Sequence, residues 1–383
     1  MNKAYFDNAA TTYPKPNAVY SFMDEFYRAN GASAGRGVYR AALSAGALIA
    51  ETRSLIQDVL HCPAKQVIFT PTATIALNII LQGLLQMGVR NVYISPFEHN
   101  AVTRTLHAFE KAGTITVRQL TVSKDFQYDL DRIRYQFEDA KPDLVVVSHA
   151  SNAFGLIAPV TEIFPLCKQY GAYTVLDMAQ TAGLVDCAIG LSIFDFAVFA
   201  GHKTLYGPTG VSGFVMKPEI PLPATIFGGT GYDSANQDMP SSLPERFEMG
   251  TLNTSGIVGL NAALKCVKST TIETLRETES KNRERLLSIL SDYWFVKIVG
   301  NVDSCEYVGI VSCIIDGISS DSAGKLFSDA GISVRTGLQC APLAHRFLGT
   351  FPAGTIRLSV NYFTSDEDFQ ELRNLLNHIE ENL

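Results

Sequence analysis

The stretch Val198-Phe-Ala-Gly-His-Lys203-Thr-Leu-Tyr-Gly-Pro-Thr-Gly210 sets one lysine at the end of an apolar run, inside a glycine-flanked loop. Upstream, the run Tyr173-Thr-Val-Leu-Asp177-Met-Ala-Gln180 ends in an aspartate with a glutamine close behind. A strand-end lysine can condense with an aldehyde. A carboxylate facing it can keep a heteroaromatic ring nitrogen protonated, so that the ring accepts electrons. This pairing is what pyridoxal phosphate requires. Taken singly, Lys203 also reads as a solvated loop residue and Asp177 as a helix N-cap.

Other residues supply what such a cofactor needs. A phosphate calls for backbone N–H donors at a helix start and for nearby hydroxyls. Thr70-Pro-Thr-Ala-Thr74, leading into Ile75-Ala-Leu-Asn, offers both, with Thr72 or Thr74 either capping the helix or meeting the phosphate. His202 is a second phosphate candidate. A nucleotide P-loop is rejected, because Gly201-His-Lys-Thr204 breaks that motif. His99, in Ser95-Pro-Phe-Glu-His-Asn100, ends a strand, where an imidazole can stack on a ring and shuttle protons. Asn152 and Gln180 are candidate donors to a ring oxygen, or turn-formers. Arg357, inside Thr355-Ile-Arg-Leu-Ser-Val360, must meet an anion: an amino-acid carboxylate held bidentately, or a structural acid.

The elements that position these residues follow from hydrophobic periodicity. Strands are expected at Val67–Thr70, Asn91–Ser95, Thr114–Leu120, Asp143–Ser148, Tyr173–Asp177, Phe194–Ala200 and Val211–Met216. Helices are expected at Ala73–Gln86, Asn100–Lys111, Leu130–Phe137 and Val160–Tyr170. This alternation predicts an α/β fold with a mainly parallel sheet covered on both faces, whose ligands sit beyond the C-terminal strand ends. Every candidate from Thr70 to Lys203 falls at such an end. Residues 218–250, rich in Gly, Pro, Ser and Asp, read as irregular. A helical pattern over Gly256–Leu290 in two pieces follows, and then a smaller α+β unit.

A chain of 383 residues suggests two domains. Its net charge of −7 argues against a nucleic-acid surface made by the whole chain. No apolar run is long enough to span a bilayer, and the first residues lack a signal-peptide core, so a cytoplasmic address is expected. The 7 cysteines include no C-x-x-C pair, which suits reduced thiols and no metal site.

Taken together, the segments resemble the class V aminotransferase family of pyridoxal-phosphate enzymes, and within it the cysteine desulfurases. The resemblance runs through Tyr5-Phe-Asp-Asn-Ala-Ala-Thr-Thr12, Gly35-Arg-Gly-Val-Tyr39, Thr72–Thr74, Glu98-His99, Ser151-Asn152, Asp177–Gln180 and the Lys203 loop. It continues in Arg246-Phe-Glu-Met-Gly-Thr-Leu-Asn253, Val334-Arg-Thr-Gly-Leu-Gln-Cys-Ala-Pro342 and Arg357. It implies an aspartate-aminotransferase-like fold: a large cofactor domain (15–255) around a seven-stranded sheet, and a small domain from 1–14 and 256–383. It implies that Lys203 carries the cofactor, Asp177 meets the ring nitrogen, Gln180 the ring hydroxyl, and His99 stacks as acid/base. Ala73, Thr74 and His202 would hold the phosphate, joined by Thr251 from the other subunit of a homodimer. Asn152 and Arg357 would hold the substrate carboxylate, with Asn8 and Arg335 on the substrate side.

The same resemblance makes Cys340 the nucleophile. L-cysteine loses its Cα proton, its Cβ–S bond weakens, and the Cys340 thiolate takes the sulfur as a persulfide while L-alanine leaves. Positive charge from Arg335 or His99 would favour that thiolate. The short loop implies an acceptor protein that comes to the cysteine, feeding iron–sulfur assembly, tRNA or cofactor thiolation, or DNA phosphorothioation. Rival readings are a selenocysteine lyase, a cysteine-sulfinate lyase, a true aminotransferase, or a sulfur-relay scaffold without turnover. Some positions depart from the common pattern: Ala200 replaces a phosphate-binding hydroxyl, Gln339 a histidine, Ile75 a glutamate, and Gly35-Arg36 a His-Arg pair.

Overall fold

The computed structural model describes residues 3–34, 37–232 and 234–382, so the Gly35-Arg36 pair lies outside the described residues. The chain opens with β1 (Ala4–Tyr5), α1 (Asn17–Asn30) and α2 (Arg40–Val59). An alternation follows: β2 (Gln66–Thr70), α3 (Ala73–Gln86), β3 (Asn91–Ile94), α4 (Asn100–Lys111), β4 (Thr116–Gln119) and α5 (Leu130–Asp139). It continues through β5 (Leu144–Ser148), α6 (Val160–Gln169), β6 (Tyr173–Asp177), β7 (Phe196–Ala200) and β8 (Ser212–Met216). Beyond an irregular stretch come α7 (Thr254–Thr270), α8 (Ile272–Ser291), β9 (Val296–Val299), β10 (Ile310–Ile315) and α9 (Ser320–Asp329). The chain closes with β11 (Ile332–Ser333), β12 (Arg335–Gly337), α10 (Pro342–Phe347), β13 (Thr355–Ser359) and α11 (Asp366–Glu380).

The central sheet has 7 strands in the order β2-β8-β7-β6-β5-β3-β4, and only β8 runs against its neighbours. Its inner strands are almost wholly buried and mostly apolar because helices cover both faces. In β5, Val145 and Val147 enter the core cluster on one face, while Leu144 and Val146 enter the cluster on the other. The crossovers leave the C-terminal ends of β2, β3, β5, β6 and β7 on one edge, where Thr70, Ser148, Asp177 and Ala200 lie. The predicted α3 and α4 agree with the observed helices end to end. Helices α1 and α2 went unpredicted, although Val19, Phe22, Met23 and Phe26 in α1 and Leu48, Ile49, Thr52, Ile56 and Val59 in α2 stand at helical spacing. The long helical pattern divides at Thr271, whose φ of 71° ends α7 while its hydroxyl accepts from the Thr274 N–H to start α8.

The second sheet has 4 antiparallel strands, β12-β13-β10-β9, and β1 pairs with β11 beside it. A separate apolar cluster, including Phe6, Leu286, Phe295, Leu358 and Leu372, packs this unit. In the β12–β13 register Arg335 stands directly opposite Arg357. Two like charges facing each other across a ladder repel, so a counter-charge must stand between them. The N-terminal segment supplies it.

Candidate active site

At the C-terminal edge of the large sheet lies a cavity of ≈ 270 Å³. Thr72, Ala73 and Thr74 line it from the start of α3, His99 from the start of α4, and Ser148 and Asn152 from the end of β5. Asp177 and Gln180 line it from the end of β6, and Ala200, His202 and Lys203 from the end of β7. Five connections at strand ends thus face one space, three of them leading into helices. Lys203 and Asp177 share it, as their positions on neighbouring parallel strands require.

The Lys203 loop is clamped from the N-terminal segment. The His202 carbonyl accepts from the Thr12 N–H (3.1 Å), Thr11 Oγ1 (3.1 Å) and Lys15 Nζ (2.7 Å), and the Lys203 carbonyl accepts from Thr12 Oγ1 (2.9 Å). Burial lowers the Lys203 amine to about 8, opposed by the Asp177 charge. A substantial share of the amine is therefore neutral and nucleophilic near physiological pH. Burial pushes the Asp177 carboxyl up, against the Ala179 N–H that Oδ1 accepts at 2.9 Å and the charge of Lys203. Among the described residues Oδ2 has no partner.

At α3 the capping question resolves: Thr72 Oγ1 accepts from the Ile75 N–H at 3.2 Å, which leaves the Thr74 hydroxyl free beside the first N–H groups of the helix. His202 Nδ1 is buried and unpartnered among the described residues. His99 caps α4, its Nδ1 accepting from the Ala101 N–H at 3.0 Å, so the ring proton of the neutral form sits on Nε2. Burial, aided by the charges of Lys203, Arg104 and Arg357, lowers His99 to about 4. It is neutral near pH 7, and the expectation that its charge would favour a Cys340 thiolate is overturned.

The substrate-side residues divide. Arg357 is buried on β13; its guanidinium donates to the Asn152 carbonyl (2.9 Å) and to Asp7 Oδ1 (2.9 Å), while Nε is unpartnered among the described residues. Of the two readings of this arginine, the structural acid is present, in Asp7. Arg335, half-exposed, donates to Asp7 Oδ2 at 2.7 Å. Asp7 thus supplies the counter-charge between the two arginines. Asn8, expected on the substrate side, donates through its amide to the Ser359 carbonyl (2.8 Å) and accepts from Asn361 (3.0 Å), which ties the N-terminus to β13, and it lines a neighbouring space that Gln180 also borders. Gln180 lines the cavity while donating to the Ala9 carbonyl at 2.9 Å. Thr251 lies apart from Lys203 in the same chain, in a neighbouring cavity of ≈ 480 Å³ bordered by Thr70, Pro71 and Ile75.

Cys340 is exposed in the short connection between β12 and α10, and its carbonyl accepts from the N–H of Asn100, next to His99. The preceding Gln339 carbonyl accepts from Asn152 Nδ2 at 2.5 Å, so the cysteine loop is bonded to the cavity wall. Sequence reasoning missed Asp7, Lys15, Ser148 and the lining alanines Ala101, Ala150 and Ala179. The acid in Tyr5-Phe-Asp7 was a readable signal for the first; a lining alanine carries no chemical signature.

The cavity fits pyridoxal phosphate on three observations. The free Asp177 oxygen calls for a cationic N–H, which a protonated pyridine nitrogen provides. The Thr74 hydroxyl, the α3 N-terminus and the orphaned His202 nitrogen form a phosphate cradle. The Lys203 amine is poised to condense with an aldehyde between them.

Known proteins agree. The model of the family described as "Aminotransferase class-V" matches residues 4–372. The protein named "Probable cysteine desulfurase" from Methanothermobacter thermautotrophicus is 30% identical, covering 98% of this chain and 94% of its own. One of the same name from Pyrococcus abyssi is 29% identical, covering 99% and 94%. The solved apo structure of a cysteine desulfurase from Thermococcus onnurineus superimposes with a TM-score of 0.91 at 27% identity, over 99% of this chain and 95% of the other. Among the described residues no helix is long and apolar enough to cross a membrane. With the lysine, the carboxylate and the phosphate cradle assembled in one cavity, the chain belongs to the aminotransferase class-V family of pyridoxal-phosphate enzymes, alongside the cysteine desulfurases.

Proposed function

We propose that this chain takes sulfur from L-cysteine, releases L-alanine and carries the sulfur as a persulfide on Cys340 until an acceptor removes it. The observation that carries this reading is the convergence of Lys203, Asp177 and the Cys340 loop on one cavity, with the loop bonded to the wall through Asn152. When bound, pyridoxal phosphate supplies an electron sink for charge developing at the substrate carbons. Asp177 holds the ring nitrogen protonated, and Thr74, Ala73 and His202 bind the phosphate. Thr251 reaches the phosphate of a partner subunit in a homodimer, across the exposed start of α3. Ala200 contributes no hydroxyl, so the phosphate leans on fewer side-chain donors.

Arg357 binds the substrate carboxylate through its unpartnered Nε edge, and the cross-strand Arg335 guards the entrance. Lys203, whose amine burial lowers to about 8, moves the proton at the substrate Cα. Neutral His99, with its proton on Nε2, stacks over the ring and donates toward the sulfur side of the site. The Cys340 thiolate forms the new S–S bond as the substrate Cβ–S bond breaks. The electron pair stays with the substrate carbon, which is protonated to give alanine. In domain terms, residues 15–255 hold the cofactor, and residues 1–14 with 256–383 bring Arg357 and Cys340 to it.

The exposed position of Cys340 in a short loop supports delivery to an acceptor protein that approaches the sulfur. Incubation with L-cysteine and a reductant tests the reading: equal amounts of sulfide and alanine, dependent on added cofactor, are expected. Alanine without sulfide, or turnover that survives Cys340→Ser, overturns it.

A further inference from the structure

Gln339 and Cys340 both adopt left-handed backbone conformations, with φ of 40° and 58°. Residues with a Cβ avoid that region, so two in succession persist only where the surroundings hold them. Here the holding is done by buried polar groups. The Gln339 side chain donates through Nε2 to the Thr355 carbonyl at 3.0 Å, which leaves Oε1 as an acceptor facing His345 Nε2 at 2.7 Å. His345 is fully buried on α10 and must therefore carry its proton on Nε2. Its bare Nδ1 then accepts from Thr350 Oγ1 at 2.7 Å. Burial lowers His345 to about 4, so the ring is neutral, as this chain of donors requires. Outside the turn, Asn152 Nδ2 grips the Gln339 carbonyl at 2.5 Å and the Asn100 N–H grips the Cys340 carbonyl at 2.7 Å.

We propose that Gln339 and His345 are positioning residues that lock the strained turn presenting Cys340 to the cofactor cavity, the Thr350–His345–Gln339 chain pinning it from below and Asn152 from the cavity side. The proposal rests on Cys340 as the sulfur-receiving residue. Neither Gln339 nor His345 touches the reacting atoms; they act through the backbone of the residue beside them.

The test is a single turnover of the holoenzyme with L-cysteine and no reductant, reading the rate of sulfur arrival on Cys340, together with KM and the visible cofactor band. His345→Phe keeps the ring volume and removes the donor. It should slow sulfur arrival by about tenfold or more, equivalent to about 1.4 kcal/mol of lost positioning, with KM and the band unchanged. His345→Gln sets an amide nitrogen near the Nε2 position and should recover most of the rate. If His345→Phe does not fold, Gln339→Met breaks the same bond from the other side, with the same loss expected. Sulfur arrival at the parental rate in either disrupted variant overturns the proposal, as does a His345→Gln variant as slow as His345→Phe. Persulfide that accumulates in Cys340→Ser removes the Cys340 assignment itself, and the latch falls with it.

Discussion

The cofactor cavity and the cysteine loop are built on opposite principles. Around the cavity, polar atoms are left without partners among the described residues: one oxygen of Asp177 and the buried Nδ1 of His202. Around Cys340 the supporting polar groups are paired, from the Asn152 amide to the Thr350 hydroxyl, and Cys340 itself is exposed. Buried polar groups without partners are costly, and a fold keeps them where a ligand will satisfy them. A saturated network in a strained turn serves a different end, since it fixes a backbone that would otherwise relax. The two regions therefore predict different failures: loss of binding and electronics in one, loss of placement in the other.

Removing the residue that defines each region breaks the comparison most sharply. Lys203→Ala should abolish the visible band of the internal cofactor linkage and lower turnover by about 10⁴-fold or more, read by absorbance and alanine release. Cys340→Ser should leave that band intact and yet stop sulfur transfer. Identical phenotypes would erase the distinction. Asp177→Asn, which keeps the shape and removes the charge, should lower kcat by about 10²–10³-fold with cofactor still bound. A smaller effect follows from Lys203 lying at about 8, below its usual value. Only the neutral amine condenses, so cofactor loading of the apoprotein should rise about tenfold per pH unit below pH 8 and level off above it. A loading rate still climbing at pH 10 would refute the lowered value. Least dramatic is Ala200→Ser, which adds a hydroxyl at the end of β7 and should slow cofactor loss by about tenfold, the worth of one hydrogen bond to a charged group.

What could be read in the sequence was local. The Lys203 loop, Asp177 and the start of α3 announce themselves because an apolar run, a turn and a functional residue are contiguous, and α/β topology gathers such ends on one edge. The neighbours that define each residue's state were hidden. Asp7 pairs with Arg357 from 350 positions away, and Asn152 reaches Gln339 across 187. Asn8 shows the same limit: its amide is bonded to the end of β13, whose register only the folded chain sets. The neutrality of His99 was equally invisible, because its burial and the charges of Lys203 and Arg357 come from distant parts of the chain, and only Arg104 is near in sequence.

The central claim is that Lys203 and Cys340 serve one cavity, the first holding the cofactor and the second receiving sulfur. Mass analysis of the holoenzyme after one turnover with L-cysteine and no reductant, one portion alkylated to trap the persulfide and a second fixed with borohydride to trap the imine, tests both halves. The account predicts the cofactor on the Lys203 peptide, one added sulfur atom on the Cys340 peptide, and an equal amount of alanine in solution. Sulfur on any other cysteine, or cofactor on any other lysine, would contradict it.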